Sequence, residues 1–355
     1  LYPDLIIMIK ENNQTLILVT GGTGFVGIHA IHQLLQKGYQ VKTTIRSLDR
    51  KKEILAMLKT AGIIQFDKLK FIEADLTRDA NWDEAAKDCD YVLHIASPIN
   101  LKIPKDENEM IKPAVEGTFR VLKAARNAGV KRVVMTSNFG AVGYSNKVKT
   151  ALITEESWTD PAEKGLSAYN KSKVLAELAA WDFIKTEGQG LELAVINPMG
   201  IFGPSFNADL SSGYELLKSI LDGTMKTIPN LVLGIVDVRD VADLHIRAMT
   251  NPAANGQRFI ALAGGTMSLP QISQFLKQEL PEAAKNASTK TLPDWLVRLA
   301  AIFSPKARAI VPMLGINRNA SNEKARKLLG WQPRTNEQAV LAAAESLLKY
   351  NLNKI

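Results

Sequence analysis

The 355-residue chain is 46% hydrophobic and 23% charged, an ordinary balance for a globular protein, and carries a formal charge of +8. No apolar run reaches the length of a membrane span. The single cysteine, Cys89, excludes an intrachain disulfide and fits a reducing, cytoplasmic compartment. The basic residues are scattered and not interleaved with aromatics, which argues against a nucleic-acid partner.

Residues 1–13 are expected to be a leader or expression remnant outside the fold, since Leu5 to Ile9 is too short for a signal sequence and lacks a cationic flank. The organising stretch follows at 15–27, T-L-I-L-V-T-G-G-T-G-F-V-G. Four apolar residues, 16–19, predict a buried strand, and the pattern from Phe25 to Lys37 predicts a helix. Between them the spacing G-x-x-G-x-x-G aims the helix's free backbone N–H groups at one point, an anion site. Gly21 allows the tight turn, Gly24 the approach of a pyrophosphate, and Gly27 the packing of helix on strand, with Thr23, Phe25 and Val26 lining the same loop.

Strand and helix then alternate. Strands are expected at 40–45, 69–74, 91–95, 131–135 and 191–196, and helices at 49–60, 79–87, 106–127 and 168–186. Such alternation predicts an α/β fold with a doubly wound parallel sheet of the Rossmann type. After Asn197-Pro198 the alternation weakens. A helix is expected near 210–221, then strand, helix and strand at 231–236, 238–249 and 258–263, and helices at 271–280 and 294–303. The last helix has Thr335 and Gln338 spaced as a capping box. The expected division is a dinucleotide-binding domain of 14–198, continued by about 236–263 and 321–350, and a smaller discontinuous substrate-binding lobe of 199–235 and 264–320.

Arg46 ends the second strand, where a dinucleotide fold reads the adenosine ribose. A guanidinium there can grip a 2′-phosphate, and Lys51 and Lys52 add charge, so NADP(H) is expected in spite of Asp49 close by. Tyr169 and Lys173 form a Y-x-x-x-K pair on one helix face. A nearby ammonium is expected to lower the phenol's pKa and fit it for proton transfer. Tyr214/Lys218 and Tyr350/Lys354 share the spacing, but only Tyr169/Lys173 follows a Thr-Ser strand end and precedes a strand. Thr136, Ser137 and Asn138 end the fifth strand, where a hydroxyl or amide can polarise a carbonyl. At the fourth strand end, His94, Ile95, Ala96 and Ser97 are expected to wall the cofactor channel, His94 as a structural residue. His29, His32, His94 and His245 have no metal-ligand spacing, so no metal is expected.

With these motifs the chain resembles the extended short-chain dehydrogenase/reductases, within the branch of dihydroflavonol 4-reductase, cinnamoyl-CoA reductase and microbial aldehyde reductases. The resemblance spans about 15–350 and rests on T-G-G-T-G-F-V-G, T-T-I-R, A-D-L, L-H-I-A-S-P, V-V-M-T-S, Y-N-K-S-K and N-P-M-G-I-F-G-P. It implies an NADPH-dependent reductase of aldehydes or ketones, with Tyr169 as general acid and Lys173 also holding the nicotinamide ribose. Asp75 and Leu76 would contact the adenine; Pro198, Gly200 and Ile201 would contact the nicotinamide. Phe139, Phe202, Phe206, Tyr214 and Met225 are the expected substrate-lining residues. The family shows Thr-Ser-Ser at the fifth strand end, and here Asn138 stands in the second serine's place. Either Ser137 takes the part or the Asn138 amide does. A nucleotide-sugar epimerase or dehydratase, and a non-catalytic NADP-binding sensor, are the alternatives. The resemblance implies a small-molecule carbonyl partner and a monomer or homodimer.

Overall fold

The computed structural model describes residues 10–98, 104, 106–146, 148, 150–208 and 212–351. The strands are β1 (Leu16–Thr20), β2 (Gln40–Ile45), β3 (Leu69–Glu73), β4 (Tyr91–His94), β5 (Arg132–Thr136) and β6 (Glu192–Pro198). With a last strand at Gln257–Ala261 they form a seven-stranded sheet, ordered last-β6-β5-β4-β1-β2-β3, in which every pairing is parallel. The order in which strands are added reverses between β1 and β4, which opens a crevice at their carboxyl ends, the place where open sheets of this kind bind ligands.

Both faces of the sheet are covered, so its strands read as near-continuous apolar runs. On one face lie α1 (Phe25–Gln36), α2 (Lys51–Thr60) and the helix Val238–Thr250, with Ile31, Leu34, Leu58 and Val241 among their fully buried residues. On the other lie α3 (Trp82–Ala86), α4 (Asn108–Asn127) and α5 (Ala168–Glu187), which bury Trp82, Leu122 and Phe183. This is the doubly wound α/β sheet. The short α3 starts only after Asn81, which adopts φ 69°, so the expected helix of 79–87 is trimmed at both ends.

Beyond β6 the chain builds a second apolar cluster from Phe202, Leu217, Ile228, Met267, Ile272 and Val297. Three expectations change here. The single strand expected at 231–236 is two: Val232–Leu233 pairs antiparallel with Met267–Ser268, and Ile235–Asp237 pairs parallel with Gly200–Phe202. Gly234 lies between them, where a Cβ would lie 2.2 Å from the Met199 sulfur. The helix expected at 294–303 ends at Ala300, and a second one runs over Pro305–Ile310. The stretch 321–350, grouped with the nucleotide domain, divides. Ala325 and Leu329 of Glu323–Leu329 pack under the sheet, whereas Ala339, Val340, Ala343 and Leu347 of Asn336–Asn351 pack into the second cluster. The capping box at Thr335 and Gln338 is formed, with reciprocal bonds of 3.0 and 3.2 Å.

Of the leader expected at 1–13, residues 1–9 lie outside the described residues. The rest docks onto the sheet, with the Lys10 ammonium 2.8 Å from Asp90 and the Asn12 amide donating to the Lys37 carbonyl. No helix among the described residues is long and apolar enough to cross a membrane.

Candidate active site

A cleft of about 930 Å³ runs along the carboxyl ends of the strands, within the size range of small-molecule sites. At the switch point Gly21 leaves β1 at φ +75°, and a Cβ there would press on Ala96 of the loop after β4, 3.0 Å away. A Cβ on Gly27 would lie 2.3 Å from the Gly21 carbonyl oxygen, so only glycine lets α1 start this close to β1. Gly24 is the N-cap of α1 and offers no side-chain cap, which leaves the first-turn N–H groups pointing into the cleft. Thr20 fixes the facing loop: its Oγ accepts from the N–H groups of Ile95 and Ala96 and donates to His94 Nδ1 at 3.0 Å. Burial drives the His94 pKa down to about 3, so this acceptor stays neutral. His94 therefore sits beneath the channel and not in its wall, a correction to its expected place; Ile95, Ala96 and Ser97 do line it.

Arg46, Asp75 and Leu76 line the same end. Gly117 of α4 permits the close approach of Leu76, whose Cβ would be 2.9 Å from any Cβ placed there. Arg46 is exposed, while Arg50 is paired with Glu53 and Lys51 lies over the Phe71 ring, 5.2 Å from its centroid. Gly27, Lys51 and Lys52 lie outside the lining: the first packs on Gly21 and the two lysines sit on the outer side of α2.

The other end gathers Thr136, Ser137, Asn138, Phe139, Tyr169, Lys173, Pro198, Gly200, Ile201 and Phe202. Thr136 is oriented by the core: its hydroxyl bonds His245 Nε2, whose Nδ1 donates to the Val241 carbonyl. Its own carbonyl accepts from Lys173 Nζ at 3.3 Å. Lys173 is buried, which lowers its pKa to about 8, while Glu177 one turn on opposes the shift. Glu177 is in turn held by Arg258 at 2.6 Å and by the Asn197 amide at 2.8 Å. The second Asn197 bond reaches the Asn138 carbonyl, so one buried network ties α5, β6 and the loop after β5 together.

Tyr169 departs from expectation. Burial raises its pKa above the ordinary value, and the group that pulls it back is the Asn138 side chain through a hydrogen bond, not Lys173. The physical reason is that Lys173 is turned to the Thr136 carbonyl and is itself desolvated. Asn138 Nδ2 donates to Asn170 Oδ1 at 3.1 Å, and the buried Ser137 hydroxyl has no partner.

Three expected substrate residues fall elsewhere. Phe206 stacks on His29 with centroids 4.2 Å apart, behind α1. Tyr214 is buried and donates to the Gly203 carbonyl, and Met225 packs in the second apolar cluster. Periodicity marks such residues as apolar but not which side of their element faces the cleft. Tyr144, Asn170, Met199, Leu216, Leu233 and Arg318 line it unforeseen. Asn170, next to Tyr169, and Met199, within N-P-M-G-I-F-G-P, carried a signal in the sequence; Leu216 stands on the helix Ser212–Leu221 and Leu233 on a short strand, and Tyr144 and Arg318 on irregular segments, all brought together by packing.

Residues 18–263 match the 3-beta hydroxysteroid dehydrogenase/isomerase family. An anthocyanidin reductase ((2S)-flavan-3-ol-forming) from Vitis vinifera is 36% identical over 279 residues, 74% of this chain and 80% of its own length. A cinnamoyl-CoA reductase from Medicago truncatula is 33% identical over 255 residues, 70% of this chain and 77% of its own. The structure of yeast methylglyoxal/isovaleraldehyde reductase complexed with NADPH superposes with a TM-score of 0.77 at 26% identity, covering 96% of this chain and all (100%) of that one.

Proposed function

The chain belongs to the 3-beta hydroxysteroid dehydrogenase/isomerase family, and from that premise we propose how this cleft works as an NADPH-dependent reductase of aldehydes or ketones. The protein is an NADP-dependent oxidoreductase of the carbonyl-reducing branch, in line with the reductases it resembles, one of them complexed with NADPH. That likeness favours reduction over the nucleotide-sugar epimerase or dehydratase reading, and the retained Tyr169 and Lys173 speak against a non-catalytic sensor.

The cleft fits the cofactor on its own geometry. The glycine cradle leaves room only for backbone, the α1 N-terminus meets a pyrophosphate, and exposed Arg46 stands where a 2′-phosphate would lie. Asp75 and Leu76 would flank the adenine, and Pro198, Gly200 and Ile201 the nicotinamide. When bound, NADPH supplies a hydride to the carbonyl carbon. The chain's own part is to hold the carbonyl and deliver a proton to its oxygen. Tyr169 keeps its O–H at neutral pH because burial disfavours the phenolate, and an acid that holds its proton suits reduction. Lys173 supplies a buried positive charge for the ribose hydroxyls. Asn138 stands beside Tyr169 with one N–H held by Asn170, and its second N–H, which tempers the phenol, would also reach the carbonyl oxygen that Tyr169 protonates; the free Ser137 hydroxyl is a lesser donor. Phe139 and Phe202 would line the substrate pocket. The substrate is a small molecule; the protein is proposed to act in the cytoplasm as a monomer or homodimer.

The observation that carries this reading is the convergence of Tyr169, Lys173 and Asn138 on the cleft that the glycine turn opens. NADPH oxidation with aldehydes and 2-keto esters tests it, with the alcohol identified as product. Tyr169→Phe is expected to lower turnover by about 10²–10⁴-fold, the worth of a general acid, without loss of NADPH binding. Retained turnover in that variant would remove Tyr169 from the mechanism.

A further inference from the structure

Arg318 lines the substrate end of the cleft and has no part in the steps above. Its guanidinium lies over the rings of Tyr144 and Phe139, 5.0 and 5.7 Å from their centroids, and Phe139 directly follows Asn138. Both terminal nitrogens sit 3.2 Å from the Tyr144 hydroxyl oxygen. Its backbone is strapped down on either side. The Asn317 amide donates to the carbonyls of Val148 and Ala151, and Ile153 pairs with Ala320 while its N–H donates to the Asn319 carbonyl.

The interior arginines Arg132 and Arg258 each face a carboxylate, Glu192 and Glu177. Arg318 is half-buried, and among the described residues no carboxylate pairs with it. Of the two carboxylates lining the cleft, Asp75 bonds Thr77 and Glu109 is exposed at the head of α4. A guanidinium offers five N–H donors in a planar fork, and a single phenol oxygen leaves most of that capacity unused. A planar oxyanion satisfies it with two parallel, charge-assisted bonds. The aromatic rings beneath fix the plane of the fork, so little ordering cost remains when such a group arrives.

We propose that Arg318 binds a carboxylate on the substrate, so that the carbonyl compounds this cleft prefers are oxo acids: aldehydes or ketones that also carry a carboxylate. This rests on the reductase reading and names the substrate class within it.

Calorimetric titration of the NADP⁺-loaded protein with 4-formylbenzoate and with its methyl ester reads binding without turnover. The carboxylate is expected to bind at least about tenfold tighter, as a charge-assisted fork would give. Arg318→Met is expected to abolish that preference, and Arg318→Lys, which keeps charge but not fork, to retain only part of it. Equal affinities in the unaltered protein, or an undiminished preference in either variant, would overturn the assignment. NADPH oxidation with the same two aldehydes separates the two readings: if both bind and neither is reduced, the reductase reading falls while the affinities still decide on Arg318.

Discussion

At the nucleotide end of the cleft, the lining comes from the glycine turn after β1 and the ends of β2 and β3, all within Gly21 to Leu76, with Ala96 closing the turn. The substrate end is assembled from side chains far apart in sequence: Asn138, Tyr144, Tyr169, Phe202, Leu233 and Arg318. Backbone donors at a helix terminus recognise what every dinucleotide shares, a pyrophosphate, and need only glycines at fixed spacing. Side chains drawn from distant segments recognise what differs between substrates, and their placement depends on packing many residues away. The network of Glu177, Arg258 and Asn197 steadies the substrate end, since it ties the helix that carries Lys173 to the Asn138 loop.

If the ends are separable in this way, substitutions at each should move different constants. After Tyr169→Phe, the largest effect is expected for Asn138→Leu, which would remove the proposed donor to the developing oxyanion: kcat/KM for the carbonyl falls about 10²–10³-fold while the NADPH Kd holds. An equal fall in Ser137→Ala and none in Asn138→Leu would hand the role to Ser137. Next, Arg46→Ala should weaken NADPH about tenfold relative to NADH, the loss of a charge-assisted contact at an exposed position, and leave kcat with saturating NADPH unchanged. An unchanged ratio of the two Kd values would remove Arg46 from cofactor choice. The smallest effect is expected at Lys173. Lys173, with its pKa lowered to about 8 by burial, is a cation below that pH and neutral above it. The kcat/KM for NADPH, which reports the free enzyme, should therefore decline as pH rises past about 8 in the unaltered protein and stay level in Lys173→Arg. A decline that persists in Lys173→Arg would assign it to another group.

The i,i+4 spacing placed Tyr169 and Lys173 on one helix face, and position distinguished them from Tyr214/Lys218 and Tyr350/Lys354. What spacing did not carry was the electrostatic relation between them. That depends on where the ammonium turns, and it turns to the Thr136 carbonyl, leaving Asn138 as the group that tempers the phenol. Phe206 and Tyr214 were legible as packed aromatics but not as residues facing away from the cleft, because packing against His29 and packing against a ligand look alike in a hydrophobic pattern.

Beside the departure at Asn138, which only the family resemblance made legible, the amino-acid sequence by itself determined the parallel sheet, the glycine turn and the spacing of Tyr169 and Lys173. Each is a matter of local backbone geometry or of a short fixed spacing, so the information lies within a few neighbouring residues. Tertiary structure alone decided the state of Tyr169, the split of the last two helices between the two apolar clusters, and the arrival of Tyr144 and Arg318 at the substrate end. Those outcomes follow from desolvation and from the meeting of segments more than a hundred residues apart, Tyr144 with Arg318 across 174 positions, which no local pattern encodes.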